Sequence, residues 1–254
     1  MIDWLLASRF FDWLFGDMHG RDERQLPKAT ASLCAASALA LLGACGGGGG
    51  GSAPLGAGAL VAMAPVAAQQ APAPRDCSIR FEGDSILNGA NGQSQRMSDP
   101  PAAILKRLRP AYTIDDRSTP GESAARRMPA LINEQISSRF VVVQFGINDA
   151  GAGTAYEPAM RAILERVKAL GRTPIVTGIS RTNPDAPPLA NRDAYDAIAR
   201  RLATEYGVPF ANWDAVDLPA ALMVDGVHPN VEGTQRLVLA LVAALDAVAP
   251  ECKS

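Results

Sequence analysis

Phe81-Glu82-Gly83-Asp84-Ser85-Ile86 closes an apolar-leaning run that begins at Cys77. Residues Cys77–Gly83 predict a short buried strand, and the sequence turns polar directly after Gly-Asp-Ser. A serine at the carboxyl end of a strand lies where open α/β sheets bind ligands. We therefore expect the rest of the chain to be arranged around the Ser85 hydroxyl.

Strand and helix patterns alternate downstream of this turn. Four further strands are predicted at Tyr112–Asp116, Phe140–Phe145, Thr173–Thr177 and Val208–Ala211. Helices are predicted at Pro100–Leu108, Ser123–Ile136, Pro158–Leu170, Asp193–Tyr206 and Val231–Val248, and Pro129 is expected to kink or shorten the second of them. This alternation predicts an α/β fold with a five-stranded parallel sheet, right-handed crossovers and helices on both faces.

The composition excludes some classes of function. The 254-residue chain has a formal net charge of -2, which gives no reason to expect a nucleic-acid partner. With 48% hydrophobic and 20% charged residues it suits a soluble globular domain. The two histidines and four cysteines form no Cys-x-x-Cys or His-x-x-x-His pattern, so no metal is expected.

The N-terminal part has the features of an exported protein. Residues 1–44 are interpreted as an N-terminal extension and signal peptide: an apolar h-region, Ala29–Ala44, follows a basic segment, and Met18 is an alternative start to Met1. The h-region ends Leu41-Leu42-Gly43-Ala44-Cys45, which resembles a bacterial lipoprotein lipobox. That resemblance implies acylation of Cys45 in the cell envelope, and Gly46 after it, rather than an aspartate, favours the outer membrane by analogy. Ordinary secretion with cleavage nearby is the alternative.

Two further segments follow the signal peptide. Residues 45–74 are mostly Gly, Ala, Pro and Gln and predict a flexible tether. The six-glycine run within it is no phosphate loop, because no strand pattern precedes it and no helix pattern follows. Residues 75–254 are expected to form the folded domain.

The ends of the predicted strands bring further polar residues to the edge where Ser85 lies. Asp225-Gly226-Val227-His228-Pro229 precedes the last helix and holds the one histidine of the expected mature chain. His228 would take the proton of Ser85, and Asp225 would orient the imidazole. A solvated turn is the alternative for this segment, since Asp-Gly and His-Pro both suit turns.

An attacked ester develops an oxyanion, which requires fixed hydrogen-bond donors. Asn148 follows the predicted Phe140–Phe145 strand, and Gly121 follows the Tyr112–Asp116 strand. The Asn148 amide and the N–H groups of Gly121 and Ser85 are therefore the candidate oxyanion hole. The alternatives are an asparagine that bonds its own backbone and an ordinary turn glycine.

These segments together resemble the SGNH (GDSL-type) hydrolases. Gly83-Asp84-Ser85, Gly121, Gly146-Ile147-Asn148-Asp149 and Asp225-Gly226-Val227-His228-Pro229 look like the four sequence blocks of that family, in order. The resemblance implies a flavodoxin-like three-layer α/β/α sandwich and ester hydrolysis through an acyl-serine, without a cofactor. It implies Ser85 as nucleophile, His228 as base and then acid, and Asp225 as orienter.

Three segments are expected to border the pocket as loops: Asn88–Asp99, Ala150–Glu157 and Ser180–Asn191. None offers a broad apolar lid, so a short-chain or sugar-linked acyl ester is the expected substrate. Two other functions stay open at this stage: acyl transfer to a glycan, and carbohydrate binding by a lipoprotein with a relic site.

The remaining cysteines are expected to form a disulfide. Cys77 opens the first strand, and Cys252 follows a helix that should run antiparallel to the strands. Both would then lie at the amino-terminal edge of the sheet, and an oxidising envelope permits the bridge. Two unpaired thiols are the alternative.

Overall fold

A five-stranded parallel sheet forms the middle layer of the domain. The computed structural model describes residues 75–92 and 95–254. The strands are β1 Ser78–Gly83, β2 Thr113–Asp116, β3 Phe140–Gln144, β4 Thr173–Thr177 and β5 Phe210–Ala211. They lie in the order β2-β1-β3-β4-β5, and every neighbouring pair is parallel. This flavodoxin-like order confirms the predicted fold.

Seven α-helices accompany the sheet in the described residues. They are α1 Ser85–Asn88, α2 Pro101–Leu108, α3 Ala124–Leu131, α4 Ile147–Ala152, α5 Tyr156–Ala169, α6 Arg192–Tyr206 and α7 Val231–Val248. Short 3-10 turns lie at Trp213–Ala215, Ala220–Leu222 and Pro250–Cys252. None of the helices in the described residues combines the length and the apolar composition that a membrane-spanning helix needs.

Two apolar cores flank the sheet because side chains along β3 alternate between its faces. Phe140 and Val142 pack into one core together with residues of α2 and α7. Val141 and Val143 pack into the other, with residues of α3, α5 and α6. All five β3 residues are buried, which explains the nearly continuous apolar run in the sequence.

Some predicted boundaries are wrong. The helix expected over Ser123–Ile136 ends at Leu131, and turns follow it, with the Asn133 side chain donating to the Pro129 carbonyl. Part of the loop expected over Ala150–Glu157 is helical, because α4 continues to Ala152. Both helices are short, and a helix of one or two turns leaves little periodicity to recognise.

A disulfide joins the two ends of the described domain. Cys77 and Cys252 are bonded, with their Cα atoms 5.8 Å apart, as the topology predicted. Cys77 precedes β1 and Cys252 follows α7, so the bridge lies at the sheet edge opposite Ser85. Cys45, the predicted lipidation site, and the predicted signal peptide and tether lie outside the described residues.

Candidate active site

The turn after β1 presents Ser85 at the start of α1. Asp84 caps this helix by accepting the Ile86 N–H at 2.8 Å. Gly83 has to be glycine, because a Cβ there would lie 2.7 Å from the side-chain oxygen of Gln144. Ser85 is 6% exposed, so most of its surface is packed against the rest of the protein.

Gln144 holds the Asp84 carboxyl in place from the neighbouring strand. Its Nε2 donates to Asp84 Oδ2, and its Oε1 accepts the Asp84 N–H, both at 3.1 Å. Burial raises the pKa of Asp84 to about 7. The hydrogen bonds from Ile86 and Gln144 favour the ionised form and offset only part of this rise. Sequence reasoning missed Gln144; the signal that could have found it is a polar residue that ends the buried run Phe140–Val143.

The segment before α7 presents an aspartate and a histidine on one turn. Asp225 Oδ1 accepts the N–H groups of Val227 and His228, each at 2.8 Å. Burial alone would raise the pKa of the Asp225 carboxyl, but these two bonds and the His228 ring hold it below its usual value. Asp225 is therefore an ionised hydrogen-bond acceptor at neutral pH.

Asn183 supports this turn from the segment that follows β4. Its N–H donates to the Gly226 carbonyl at 2.9 Å, and its side-chain amide donates to the Asp225 carbonyl at 3.2 Å. The sequence places Asn183 in a loop bordering the pocket, but nothing in a single sequence pairs it with residues more than forty positions away.

Ser85, His228 and Asp225 form one chain of hydrogen bonds. His228 Nδ1 lies 2.8 Å from Asp225 Oδ2, and His228 Nε2 lies 2.8 Å from Ser85 Oγ. With a proton on Nδ1 for the carboxylate, Nε2 is left as the acceptor for the Ser85 hydroxyl. The structure thus brings together residues as far apart as 143 positions in the sequence.

The predicted oxyanion-hole residues lie on adjoining segments. β1 pairs with β3 up to Gly83 and Gln144, which places the start of α1 beside the start of α4, where Asn148 lies. The Asn148 side chain donates one bond, to the Glu122 carbonyl at 2.8 Å, and its second N–H has no partner in the described part of the chain. This bond ties Asn148 to the segment that carries Gly121.

Gly121 has the backbone geometry expected of an open donor site. Its φ is +75°, which favours glycine, and a Cβ there would meet no atom within 4 Å. Among the described residues, neither its N–H nor that of Ser85 donates a hydrogen bond. The Thr119 N–H bonds the Gly83 carbonyl at 2.9 Å, which holds this segment against the end of β1.

Asp149 anchors the segment around Gly121 through the helix that follows it. Its carboxylate accepts the N–H groups of Ala124 and Ala125, at 2.9 and 3.3 Å, and the Thr154 hydroxyl at 2.7 Å. Because Ala124 begins α3, the carboxylate completes the cap that Ser123 provides at that helix. Asp149 therefore binds N–H groups at the start of a helix near the site, as Asp84 does at the start of α1.

Across the described residues, no cluster of histidine, cysteine and acidic side chains is arranged to hold a metal ion. The polar groups around Ser85 are instead a hydroxyl, an imidazole, carboxylates, amides and free N–H groups. This set can accept a proton, transfer it and bind an anionic oxygen.

Comparison with known proteins agrees with this geometry. The sequence model of the GDSL-like lipase/acylhydrolase family matches residues 81–236, which include all the site residues described above. The chain belongs to this family. Comparison with curated proteins gave no match.

Solved structures of GDSL hydrolases share the fold. TesA is 22% identical with a TM-score of 0.55, over 67% of this chain and 99% of that one. The lipase/acylhydrolase from Enterococcus faecalis is 19% identical with a TM-score of 0.54, over 67% of this chain and 96% of that one. The acetylxylan esterase Axe2 from Geobacillus stearothermophilus is 21% identical with a TM-score of 0.54, over 66% of this chain and 93% of that one.

Proposed function

We propose that this GDSL-family hydrolase is a serine esterase that cleaves carboxylic esters through an acyl-serine intermediate. The observation that carries the proposal is the unbroken chain of hydrogen bonds from Asp225 through His228 to Ser85. A serine hydroxyl is a weak nucleophile unless a neighbouring base takes its proton, and His228 Nε2 is within reach to do so.

The proposed reaction has two halves. Ser85 Oγ attacks the carbonyl carbon while His228 takes its proton, and the resulting oxyanion is held by the Ser85 and Gly121 N–H groups and the Asn148 amide. When the bond to the alcohol breaks, His228 gives the proton to the departing oxygen and an acyl-Ser85 ester remains. A water molecule then attacks this ester with His228 again as base, which releases the carboxylic acid and restores Ser85.

Kinetics on a p-nitrophenyl acetate substrate test the proposal. Ser85→Ala is expected to lower kcat/KM by about 10⁴-fold or more, because both halves of the reaction need the hydroxyl. Ser137→Ala changes an exposed serine and is the matched control, with activity unchanged. If Ser85→Ala keeps most of the wild-type activity, the acyl-serine route is wrong.

For the substrate we propose a short-chain or sugar-linked acyl ester. The support is the composition of the segments bordering the site, which are rich in Asn, Gly, Gln, Ser and Pro rather than large apolar residues. The fold neighbours include both an acetylxylan esterase and a lipase/acylhydrolase, so they do not decide between substrates. We expect a higher kcat/KM on acetate than on laurate esters; a clear preference for laurate would contradict this.

For the location we propose a lipid anchor at Cys45 in the bacterial cell envelope. The support is the lipobox-like sequence that ends at this residue and the tether-like composition that follows it. Full-length protein expressed with labelled palmitate should carry the label and partition into detergent, whereas Cys45→Ser should do neither. Equal labelling of the two proteins would overturn the anchor.

A further inference from the structure

The chain folds back on itself beside the nucleophile, directly after α1. The Met97 N–H bonds the Gly89 carbonyl at 2.8 Å, and Ala90 forms an antiparallel bridge with Arg96. We call residues 89–92 and 95–97 the strap. The strap starts at the end of α1, so it is directly connected to the helix that carries Ser85.

Arg96 fastens the strap to two neighbouring elements. Its Nε donates to the Asn88 carbonyl at 2.8 Å, at the end of α1. Its guanidinium also forms an ion pair with Asp116, the last residue of β2. The Arg96 side chain is 45% exposed and that of Asp116 is 15% exposed, so the ion pair is partly sheltered from water.

Gly92 brings the main chain of the strap onto the Asp225 carboxylate. A Cβ on Gly92 would lie 1.9 Å from Asp225 Oδ2 and 3.2 Å from His228 Nδ1. Since real Cβ atoms are hardly ever found within 3.0 Å of another heavy atom, any side chain would force the carboxylate or the strap to move. The φ of Gly92 is +74°, so its backbone also favours glycine.

The oxygen that Gly92 approaches is the one that binds the imidazole. Asp225 Oδ1 is fixed by two backbone N–H groups, whereas Oδ2 makes the shorter bond to His228 Nδ1, at 2.8 Å. The Asp225 side chain is 40% exposed, so the surrounding protein leaves it room to turn away from the ring. Close packing of the strap against Oδ2 removes part of that freedom.

We propose that Gly92 is a positioning residue for the esterase reaction: the main chain of the strap confines Asp225 Oδ2 against His228 Nδ1. The inference rests on the proposed function of Ser85, His228 and Asp225. Among the described residues, Asp225 is the one charged group in hydrogen-bond contact with the His228 ring, so displacing its carboxylate leaves Nδ1 without its charged partner and the ring held only through Ser85.

Gly92→Ala tests the proposal, with Gly171→Ala as its matched control. Gly171 has a φ of +70° but no atom within 4 Å of a Cβ, so the control carries the same backbone strain without the clash. We expect Gly92→Ala to lower kcat by about tenfold or more with little change in KM, because small misplacements of catalytic groups are costly. Gly171→Ala should stay within about twofold of wild type.

A double-mutant cycle separates positioning from general damage to the fold. Asp225→Ala removes the carboxylate atoms with which the Cβ introduced by Gly92→Ala would clash. Gly92→Ala should therefore cost less than about twofold when it is added to Asp225→Ala. An equal loss in both backgrounds, or a loss in wild type no larger than that of Gly171→Ala, would overturn the proposal.

A second measurement does not depend on ester turnover. The proton of a histidine Nδ1 bound to a carboxylate gives a downfield NMR resonance. The resonance that is lost in His228→Gln belongs to His228. Gly92→Ala should shift this resonance upfield or abolish it, whereas Gly171→Ala should keep it; an unchanged resonance in Gly92→Ala overturns the proposal. A wild type without esterase activity whose resonance still responds to Gly92→Ala would refute the proposed function and leave the positioning role standing.

Arg96→Gln tests whether the strap positions the Asp225 carboxylate if Gly92→Ala does not fold. It loosens the fastening of the strap without adding atoms next to Asp225. A several-fold lower kcat with a weakened Nδ1 resonance supports the proposal. A kcat and an Nδ1 resonance equal to those of wild type would overturn it.

Discussion

At the scale of single residues, Asp84 has the most unusual electrostatic environment near Ser85. It is fully buried, directly precedes Ser85, and its pKa is raised to about 7 by burial. An unfolded aspartate titrates near 3.8, so between these values the folded chain binds a proton that the unfolded chain has lost. The stability that protonated Asp84 contributes is therefore complete below about pH 4 and is lost as the pH rises through 7.

Asp84→Asn removes this titration and should change how stability depends on pH. The stability of wild type relative to Asp84→Asn should fall between pH 4 and pH 7, by up to about 4 kcal/mol for a shift of this size. Thermal unfolding of both proteins across this range measures the difference. A stability difference that is constant, or that grows in favour of wild type as the pH rises, would contradict the assignment.

At the scale of elements, helix α3 shows how one buried carboxylate organises the site. Asp149 accepts two N–H groups at the start of α3, and the segment directly before that helix carries Gly121. Farther along the helix, Arg127 binds Glu82, whose side chain is fully buried in β1. The position of the candidate oxyanion donor thus depends on contacts with β1 and with the segment that follows β3.

Asp149→Ala leaves two N–H groups at the start of α3 without their partner. We expect it to lower the free energy of unfolding by about 2–4 kcal/mol. Ser123→Ala removes only the side-chain cap of the same helix, at the Arg126 N–H, and should cost about 1 kcal/mol. Urea unfolding compares the two; a larger effect for Ser123→Ala would show that Asp149 is not the main anchor.

The elements also show where sequence reasoning succeeds. The sequence predicts strand Thr173–Thr177 and helix Val231–Val248 to the residue, because a short apolar run between turns and a long helical periodicity are strong signals. It misses helix α1, because the helical conformation of these four residues is stabilised by the Asp84 cap and four residues show no periodicity. Motifs single out Ser85 and His228, but the approach of Gly92 to Asp225 depends on the path of a loop.

At the scale of the whole molecule, the disulfide and the candidate site lie at opposite edges of the sheet. The Cys77–Cys252 bridge has a sequence separation of 175 residues and ties the start of β1 to the segment after α7. Closing so long a loop restricts the unfolded chain, which contributes about 5 kcal/mol at most in the chain-entropy model. Removing this disulfide should therefore lower the free energy of unfolding without changing the rate of catalysis.

The double variant Cys77→Ser/Cys252→Ser should be less stable but equally active. We expect its free energy of unfolding to fall by about 2–5 kcal/mol, with kcat at room temperature within about twofold of wild type. Wild type treated with a reductant is the control and should show the same loss. A collapse of kcat in the folded double variant would mean that the two edges are coupled.

In the proposed reaction, His228 activates Ser85 as a nucleophile. Its most direct test is labelling with an organophosphonate, followed by peptide mapping and by measurement of the labelling rate. We expect a single adduct, on Ser85, that forms at least about 10³-fold more slowly in His228→Gln. An adduct on another residue, or an undiminished labelling rate in His228→Gln, would contradict it.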